Sequence, residues 1–557
     1  MKADYKGGYY LIEEPLVRGG IHKHTAAYPH ALTDDQLEAI NLVQNTEWEV
    51  NEYVLDVMIA AYESNSHVAG LPSLDDEPLP PKMSEEEWEN LSDVDRRDYK
   101  YQLSKIHERN AQMQCKRESM GRKLDIALEL VNQSIWFPHF YDFRTRMYPL
   151  PQDLNPQGDQ ICKSLLQFRK AKRLGVDGLK WLGVTLANTF GNDKIPFDSR
   201  ELWAHMNHDL IVDSALDPLD GQRFWMEADE PWTFLAACRE WAEAYSMSNP
   251  EDYESRLPCA MDGVTNGLQH LSLIGRDEVG AVKTNCSDDE HRYDLYTEVA
   301  NRAAEIVNED AIKGNPCAQS WAGQISRKTV KRAVMTTPYG VTDRGIQDQL
   351  IADGHLEGLQ GDKLANAKYM KDVIKQALKS TVAAASEIMG YFQEVAYALA
   401  EHNIPLRWKT SAGAEIVQSY WNLRRKKVRT LIGEFVLWSE DPAMGLKPSK
   451  CALSASPNII HSQDAAMLQL TVLRLNREYG IDSFAMIHDS YGVHHADVAK
   501  MHKVLREVAH EMYSINWLEE FHQYVLSYAP EGLELPTPPK LGNFDVDRLL
   551  NAPYFFS

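Results

Sequence analysis

Two aspartates, each at the end of a short strand-like run and more than two hundred residues apart, constrain this chain more than any other feature. The first closes Cys259-Ala260-Met261-Asp262-Gly263, an apolar approach followed by an acid and a glycine. That order puts a carboxylate at a strand end with backbone packed closely behind it. The second lies in Ser483-Phe484-Ala485-Met486-Ile487-His488-Asp489-Ser490-Tyr491-Gly492-Val493. Asp is depleted in strand centres and comfortable in turns, so this stretch reads as a hairpin with an acid at its tip. Each signal is weak alone, because Asp-Gly is a common turn and a surface hairpin needs no function. Between them, residues 290–402 are dominated by helical periodicity, in 293–307, 327–337 and 363–400.

One of those helices carries charge in a pattern. Arg327, Lys331 and Met335 are spaced by four and share a face. Pro338 disfavours helical geometry at Thr337, and Gly340 follows Tyr339, so the helix ends here with the tyrosine at its exit. A cationic stripe ending in an aromatic ring suits a nucleoside triphosphate, with charges on the phosphates and the ring at sugar or base. An amphipathic surface helix is the other reading of the segment by itself.

The rest of the chain sets bounds. Its 557 residues exceed one compact core and predict two to four lobes. No run of eighteen apolar residues exists, and Met1-Lys2-Ala3-Asp4-Tyr5 lacks the apolar core of a signal peptide, so no membrane partner and a cytoplasmic location are expected. The seven cysteines include no C-x-x-C pair, which argues for reduced, mostly buried thiols. His205 and His208 near Asp209 lack further ligands at metal-site spacing, and a surface helix is the better reading. The net charge of −23 argues against a protein that coats nucleic acid nonspecifically; a nucleic-acid enzyme needs its cations gathered in one cleft.

Thr33-Asp34-Asp35-Gln36 fits a capping box with Leu32 as staple, and Leu37, Ile40, Val43, Trp48, Val54 and Met58 continue at roughly helical spacing. Residues 71–98 read as an acidic surface excursion with a short helix after Ser84. A long helix is expected over 101–133, with Lys105, Arg109, Lys116, Arg117, Arg122 and Lys123 forming either a solvated face or a phosphate-facing stripe. Residues 415–438 read as two strands around the basic centre Arg424-Arg425-Lys426-Lys427, with a loop to Lys450.

Taken in order, acid-Gly, then R-x-x-x-K-R-x-x-M-x-x-x-Y-G, then H-D-S, about 65 and 150 residues apart, resemble the three polymerase motifs of the single-subunit RNA polymerases of bacteriophages and mitochondria. The likeness extends to 140–148, 155–158, 191–197, 458–464 and the aromatic end Tyr554-Phe555-Phe556-Ser557, and begins at Gly7-Gly8-Tyr9. It implies an α+β, mostly helical right-hand polymerase fold of thumb, palm and fingers, with an antiparallel palm sheet and without most of the family's N-terminal promoter domain. The divisions are a lead-in at 1–32, a thumb-like region at 33–133, palm at 134–278, fingers at 279–461 with a promoter-hairpin-like segment at 415–450, and palm with a C-terminal foot at 462–557.

The resemblance also implies roles. Asp262 and Asp489, with the Gly263 carbonyl, would hold two Mg2+ ions, and His488 and Ser490 would support the catalytic turn. Arg327, Lys331, Met335 and Lys194 would meet the incoming nucleotide, with Lys331 aiding proton transfer and Tyr339 and His461 favouring the ribose 2′-hydroxyl. Arg144, Arg146 and Lys163 are candidates for nucleic-acid contacts, as are Arg424, Arg425 and Lys426. DNA template, RNA product and ribonucleoside triphosphates are the implied partners, in transcription of phage genes in an infected host. The shortened N-terminus leaves room for a separate promoter-binding subunit, a partial chain or another melting factor. Two positions depart from the family: Thr145 stands where a glycine is usual, and Pro338 replaces a small or apolar residue before Tyr339. The rivals are a related DNA polymerase, disfavoured by Gly267 and Asp489-Ser490, and a non-catalytic nucleic-acid-binding subunit, disfavoured by the joint presence of Asp262, Lys331, Tyr339 and Asp489.

Overall fold

The structure is a computed structural model that describes residues 15–18, 32–66 and 68–557. Gly7-Gly8-Tyr9 and most of the 1–32 lead-in lie outside the described residues. The fold is mostly helical with small sheets of two or three strands.

Two hydrophobic cores organise it. The first packs the helices Leu295–Ile312, Lys363–Thr381, Ala383–Glu401, Pro448–Tyr479 and Val498–Ser514 around a central sheet. The second joins Trp48, Val54 and Met58 to the helix Pro231–Ser246. The helix Gly175–Phe190 lies between them, giving Trp181 and Val184 to one core and Leu182 and Leu186 to the other. Apolar residues around its whole circumference explain why it is buried on both sides.

The central sheet is antiparallel, with Ser490–His494 between Ala485–Ile487 and Pro258–Asp262. Tyr491 pairs with Met261 and Val493 with Cys259, and all four side chains are buried. Because side chains alternate, that pairing turns Ala260 and Asp262 to the open face. The chain end joins this sheet: Gly263 bridges Phe556, and the Ser557 N–H donates to the Asp262 carbonyl at 3.1 Å.

Several sequence expectations change in detail. The Thr33 capping box forms, but the helical block after it divides into Asp34–Gln44, the strand Trp48–Val50 and Glu52–Glu63. Trp48 pairs with Phe168, a tertiary contact that outweighs the helical period, and Asn51 restarts the helix by accepting from the Val54 N–H. The predicted helix over 363–400 is two, broken at Val382. The long helix runs Asp93–Leu130 because Ser92 caps it, accepting from the Asp95 N–H. At 38 residues it is about 57 Å long. Of its residues only Met120, Leu124 and Ala127 are buried, so its last third alone joins the body.

The acidic excursion lies along that helix, and its short helix is Glu85–Asn90, capped by Ser84 as expected. Arg109 pairs with Glu77, Arg117 with Asp76, Arg122 with Asp153, Lys123 with Asp159 and Lys105 with Glu108. Five of the six cations are thus paired within the chain, Lys116 being the exception, which favours the solvated-face reading. The basic centre, read as lying between two strands, is instead part of the strand Leu423–Thr430, which pairs with Gly433–Glu440; the turn is Leu431-Ile432. His205 packs edge-on against Trp241, whose indole N–H donates to His208 Nδ1 at 3.1 Å. Five of the seven free cysteines are buried. Among the described residues no helix is long and apolar enough to cross a membrane.

Candidate active site

The hairpin between Ala485–Ile487 and Ser490–His494 turns at His488, whose φ of +50° is uncommon for a residue with a side chain. The Gly263 N–H donates to the Asp489 carbonyl at 2.9 Å and pins this turn to the neighbouring strand end. Ser490 stands opposite Asp262 in the ladder, so the two acids end up side by side at one edge of the sheet. The Asp489 carboxyl is pushed up to about 6 by burial and by the charges of Asp464 and Asp262. Asp464, on the helix Pro448–Tyr479, is fully buried and held by Arg146, and Asn266 reaches the same carboxylate.

The cationic helix is Arg327–Thr336, opened by a capping box between Ser326 and Thr329. Thr329, Val330, Ala333 and Val334 are buried, which leaves Arg327, Lys331 and Met335 on the other face. Arg327 Nε donates to Asp294 at 2.6 Å, and its guanidinium lies 5.1 Å from the centre of the Tyr296 ring. A cleft of about 590 Å³ is lined by Asp262, Ser490, Arg327, Lys331, Lys163 and Lys194. Lys194 is paired with Asp193.

The helix ends before Pro338, and Gly340 takes a φ of +74°. A β-carbon at Gly340 would stand 2.8 Å from the Leu453 carbonyl, so this position also needs a glycine for close approach to the helix Pro448–Tyr479. The Tyr339 ring lies 4.7 Å from that of His461, and burial raises its phenol well above the usual range. Arg144 donates to His461 Nδ1 at 2.7 Å and is gripped by Asp142 at 2.8 and 2.6 Å. Burial and the charges of Arg146 and Arg144 hold the His461 imidazole far below its ordinary value, so it is neutral. An arginine cannot accept, so Nδ1 must, and the ring proton resides on Nε2. His488 is likewise neutral, pushed down to about 3 by burial and the same arginines, with its ring 4.7 Å from Tyr148.

Asp262, Gly263, Asp489, Ser490, Arg327, Lys331, Lys163 and Lys194 thus come together, and Tyr339 and His461 meet at the helix exit. Arg144 and Arg146 are tied to protein partners, and Arg424, Arg425 and Lys426 lie on the exposed hairpin rather than along the cleft. Thr145 keeps a left-handed backbone, φ +66°, which accounts for the glycine usual there. Four residues given no role from the sequence belong to the site: Asp294 beneath Arg327, Asp464 beneath Arg146, and Arg292 with Ser557, joined by hydrogen bonds of 3.3 and 3.2 Å. Asp294 also caps the helix Leu295–Ile312, a local signal that hides its second contact.

Among the described residues no cluster of three His, Cys, Asp or Glu side chains forms a metal cage. That does not count against magnesium, which binds through one or two carboxylates and substrate phosphates rather than an all-protein cage. A buried carboxylate whose proton affinity is raised by two acidic neighbours is a donor that a hard cation would relieve.

A family model described as DNA-dependent RNA polymerase matches residues 172–531. The chain belongs to this family. It is 33% identical to the mitochondrial DNA-directed RNA polymerase 1B of Nicotiana tabacum, with 99% of this chain and 56% of that protein covered. The chloroplastic DNA-directed RNA polymerase 3 of Nicotiana sylvestris is 32% identical over 99% of this chain and 57% of its own length. A chloroplastic and mitochondrial RNA polymerase of Arabidopsis thaliana is 33% identical, over 99% and 55%. The chain spans little more than half the length of these relatives. They are organellar, so the expectation of phage genes and a host cytoplasm draws no support from them. With the family in place, the helical architecture and its small antiparallel sheets are those of a polymerase fold.

Proposed function

We propose that this chain carries the catalytic centre of a DNA-directed RNA polymerase, adding ribonucleoside triphosphates to an RNA 3′ end on a DNA template. The observation that supports it most is the ladder pairing of Ser490 with Asp262, which sets Asp262 and Asp489 together beside the Arg327–Thr336 helix. In this reading 33–133 is the thumb, 134–278 and 462–557 the palm, and 279–461 the fingers.

Asp262 and Asp489, with the Gly263 carbonyl, would hold two magnesium ions, which when bound acidify the attacking hydroxyl and neutralise the leaving oxygens. Arg327, preset by Asp294, and Lys194 draw the triphosphate tail toward the helix. Lys331 lines the cleft, forms no ion pair among the described residues, and in this reading would give a proton to departing pyrophosphate. Tyr339 and the Nε2–H of His461 offer hydrogen-bonding groups where a ribose 2′-hydroxyl would sit, and that preference favours ribonucleotides. Gly267 supports the same choice: a side chain there would press on Tyr339.

The test is extension of a primed RNA on a DNA template, with ribo- or deoxynucleotides, magnesium or chelator, and Asp489→Asn. Magnesium-dependent ribonucleotide addition that Asp489→Asn abolishes is expected. Preference for deoxynucleotides would point to a DNA polymerase, and template binding without extension to a non-catalytic subunit.

A further inference from the structure

Resting on the polymerase reading above, we infer that Arg292 is a further cation of the phosphate site, fastened to the catalytic strand through Ser557. Arg292 Nε and Nη2 donate to the Ser557 hydroxyl at 3.3 and 3.2 Å. The Ser557 N–H in turn donates to the Asp262 carbonyl at 3.1 Å, and Ser557 lines the same cleft as Asp262, Arg327 and Lys331. One residue therefore links the guanidinium to the backbone of the metal-holding acid. From the other side, Arg292 lies two residues before Asp294, which grips Arg327.

Its neighbours are compensated: Arg327 pairs with Asp294 and Lys194 with Asp193. Arg292 has no carboxylate within ion-pair distance among the described residues, and its guanidinium donates to the Ser557 hydroxyl. Burial works against its protonated form, while the more distant charges of Asp193 and Asp294 favour it and that of Arg327 opposes it. A guanidinium carries five N–H donors in a planar fork, and those not facing Ser557 suit the paired oxygens of a phosphate. A half-buried cation that makes no direct ion pair is stabilised when such an anion arrives. Its partner is the β,γ-phosphate end of the incoming nucleotide, which becomes pyrophosphate. If Arg292 served merely to anchor the last residues, its loss would disturb the sheet edge instead.

Primer extension on Arg292→Ala, Arg292→Lys, Ser557→Ala and the remote surface control Arg302→Ala separates these roles. Arg292→Ala is expected to raise the ribonucleotide KM and the inhibition constant of inorganic tripolyphosphate in parallel, by about tenfold, the size of one charged hydrogen bond. Its kcat and Tm change little, Arg292→Lys recovers part of the loss, Ser557→Ala shows a smaller shift in the same direction, and Arg302→Ala matches wild type. Unchanged tripolyphosphate inhibition, or a fall in Tm and kcat with KM intact, would overturn the inference. Wild-type protein that fails to extend any primer would overturn the polymerase reading instead; calorimetric titration of tripolyphosphate into wild type and Arg292→Ala would then still decide the role of Arg292.

Discussion

Tyr339 rests on Gly267: a β-carbon at position 267 would stand 3.2 Å from the phenolic oxygen and 3.0 Å from Pro338. The ring occupies the space a side chain would need, and His461 braces it from another side. Tyr339→Phe keeps the ring and removes the hydroxyl, so discrimination against deoxynucleotides should fall about tenfold, the worth of one hydrogen bond, with little change in kcat. Gly267→Ala should lower the same ratio by displacing the ring. Competition between ribo- and deoxynucleotides in primer extension measures both, and a ratio equal to wild type in Tyr339→Phe would remove the tyrosine from sugar recognition.

Asp489 links the site to stability. Its carboxyl sits at about 6 in the folded protein against an ordinary 3.8, so between these values the folded state binds more protons than the unfolded one. Stability is highest below the lower value and declines as pH rises toward 6, by a loss on the order of 2–3 kcal/mol at pH 8. Asp489→Asn removes that penalty, so without divalent ions it should melt above wild type at pH 8 and alike at low pH. Magnesium should raise the Tm of wild type and leave Asp489→Asn unmoved. Equal melting of the two proteins at every pH would show that the carboxylate is not repelled.

How much of this was legible beforehand follows from the range of each interaction. The strand end at Asp262, the hairpin turn at Asp489 and the helix ending before Tyr339 rest on neighbours in sequence, and all stand where expected. The break at Trp48 and the pairing of Gly263 with Phe556 rest on partners far along the chain, where periodicity carries no signal. The charges of the long helix were ambiguous for the same reason: Arg109 and Arg117 find Glu77 and Asp76 on a segment that folds back. Asp464 was visible within a motif-like stretch, but its pairing with Arg146 spans more than three hundred residues.

Thr145 pairs a left-handed backbone with a β-branched side chain, a combination that is strained by about 1–3 kcal/mol. Its hydroxyl is buried with no partner among the described residues, while its carbonyl accepts from Gln469 at 2.9 Å. Thr145→Gly relieves the strain and the orphan hydroxyl, and loses one buried methyl and some unfolded-state restriction, about 1–2 kcal/mol together. The balance predicts a gain of about 1 kcal/mol. A denaturant midpoint moved upward with an unchanged slope would show it. A lower midpoint would mean that the buried methyl outweighs the backbone.

The hairpin Leu423–Thr430 with Gly433–Glu440 is exposed along nearly its whole length, so changes there test nucleic-acid binding without disturbing the cores. Its cations are not equivalent. Arg424 pairs with Asp441 at 2.5 Å, and Arg425 lies 6.0 Å from the centre of the Trp438 ring, whereas Lys426 stands opposite Leu437. Each phosphate neutralised adds about 0.9 to the salt dependence of duplex binding. Lys426→Ala is therefore expected to lower the slope of log affinity against log salt by about 1, and Arg424→Ala by less, because Asp441 already engages that guanidinium. Extension of a preformed primer–template should match wild type in both. Salt titrations of duplex DNA binding check this, and an unchanged slope in Lys426→Ala would place the hairpin away from the phosphate backbone.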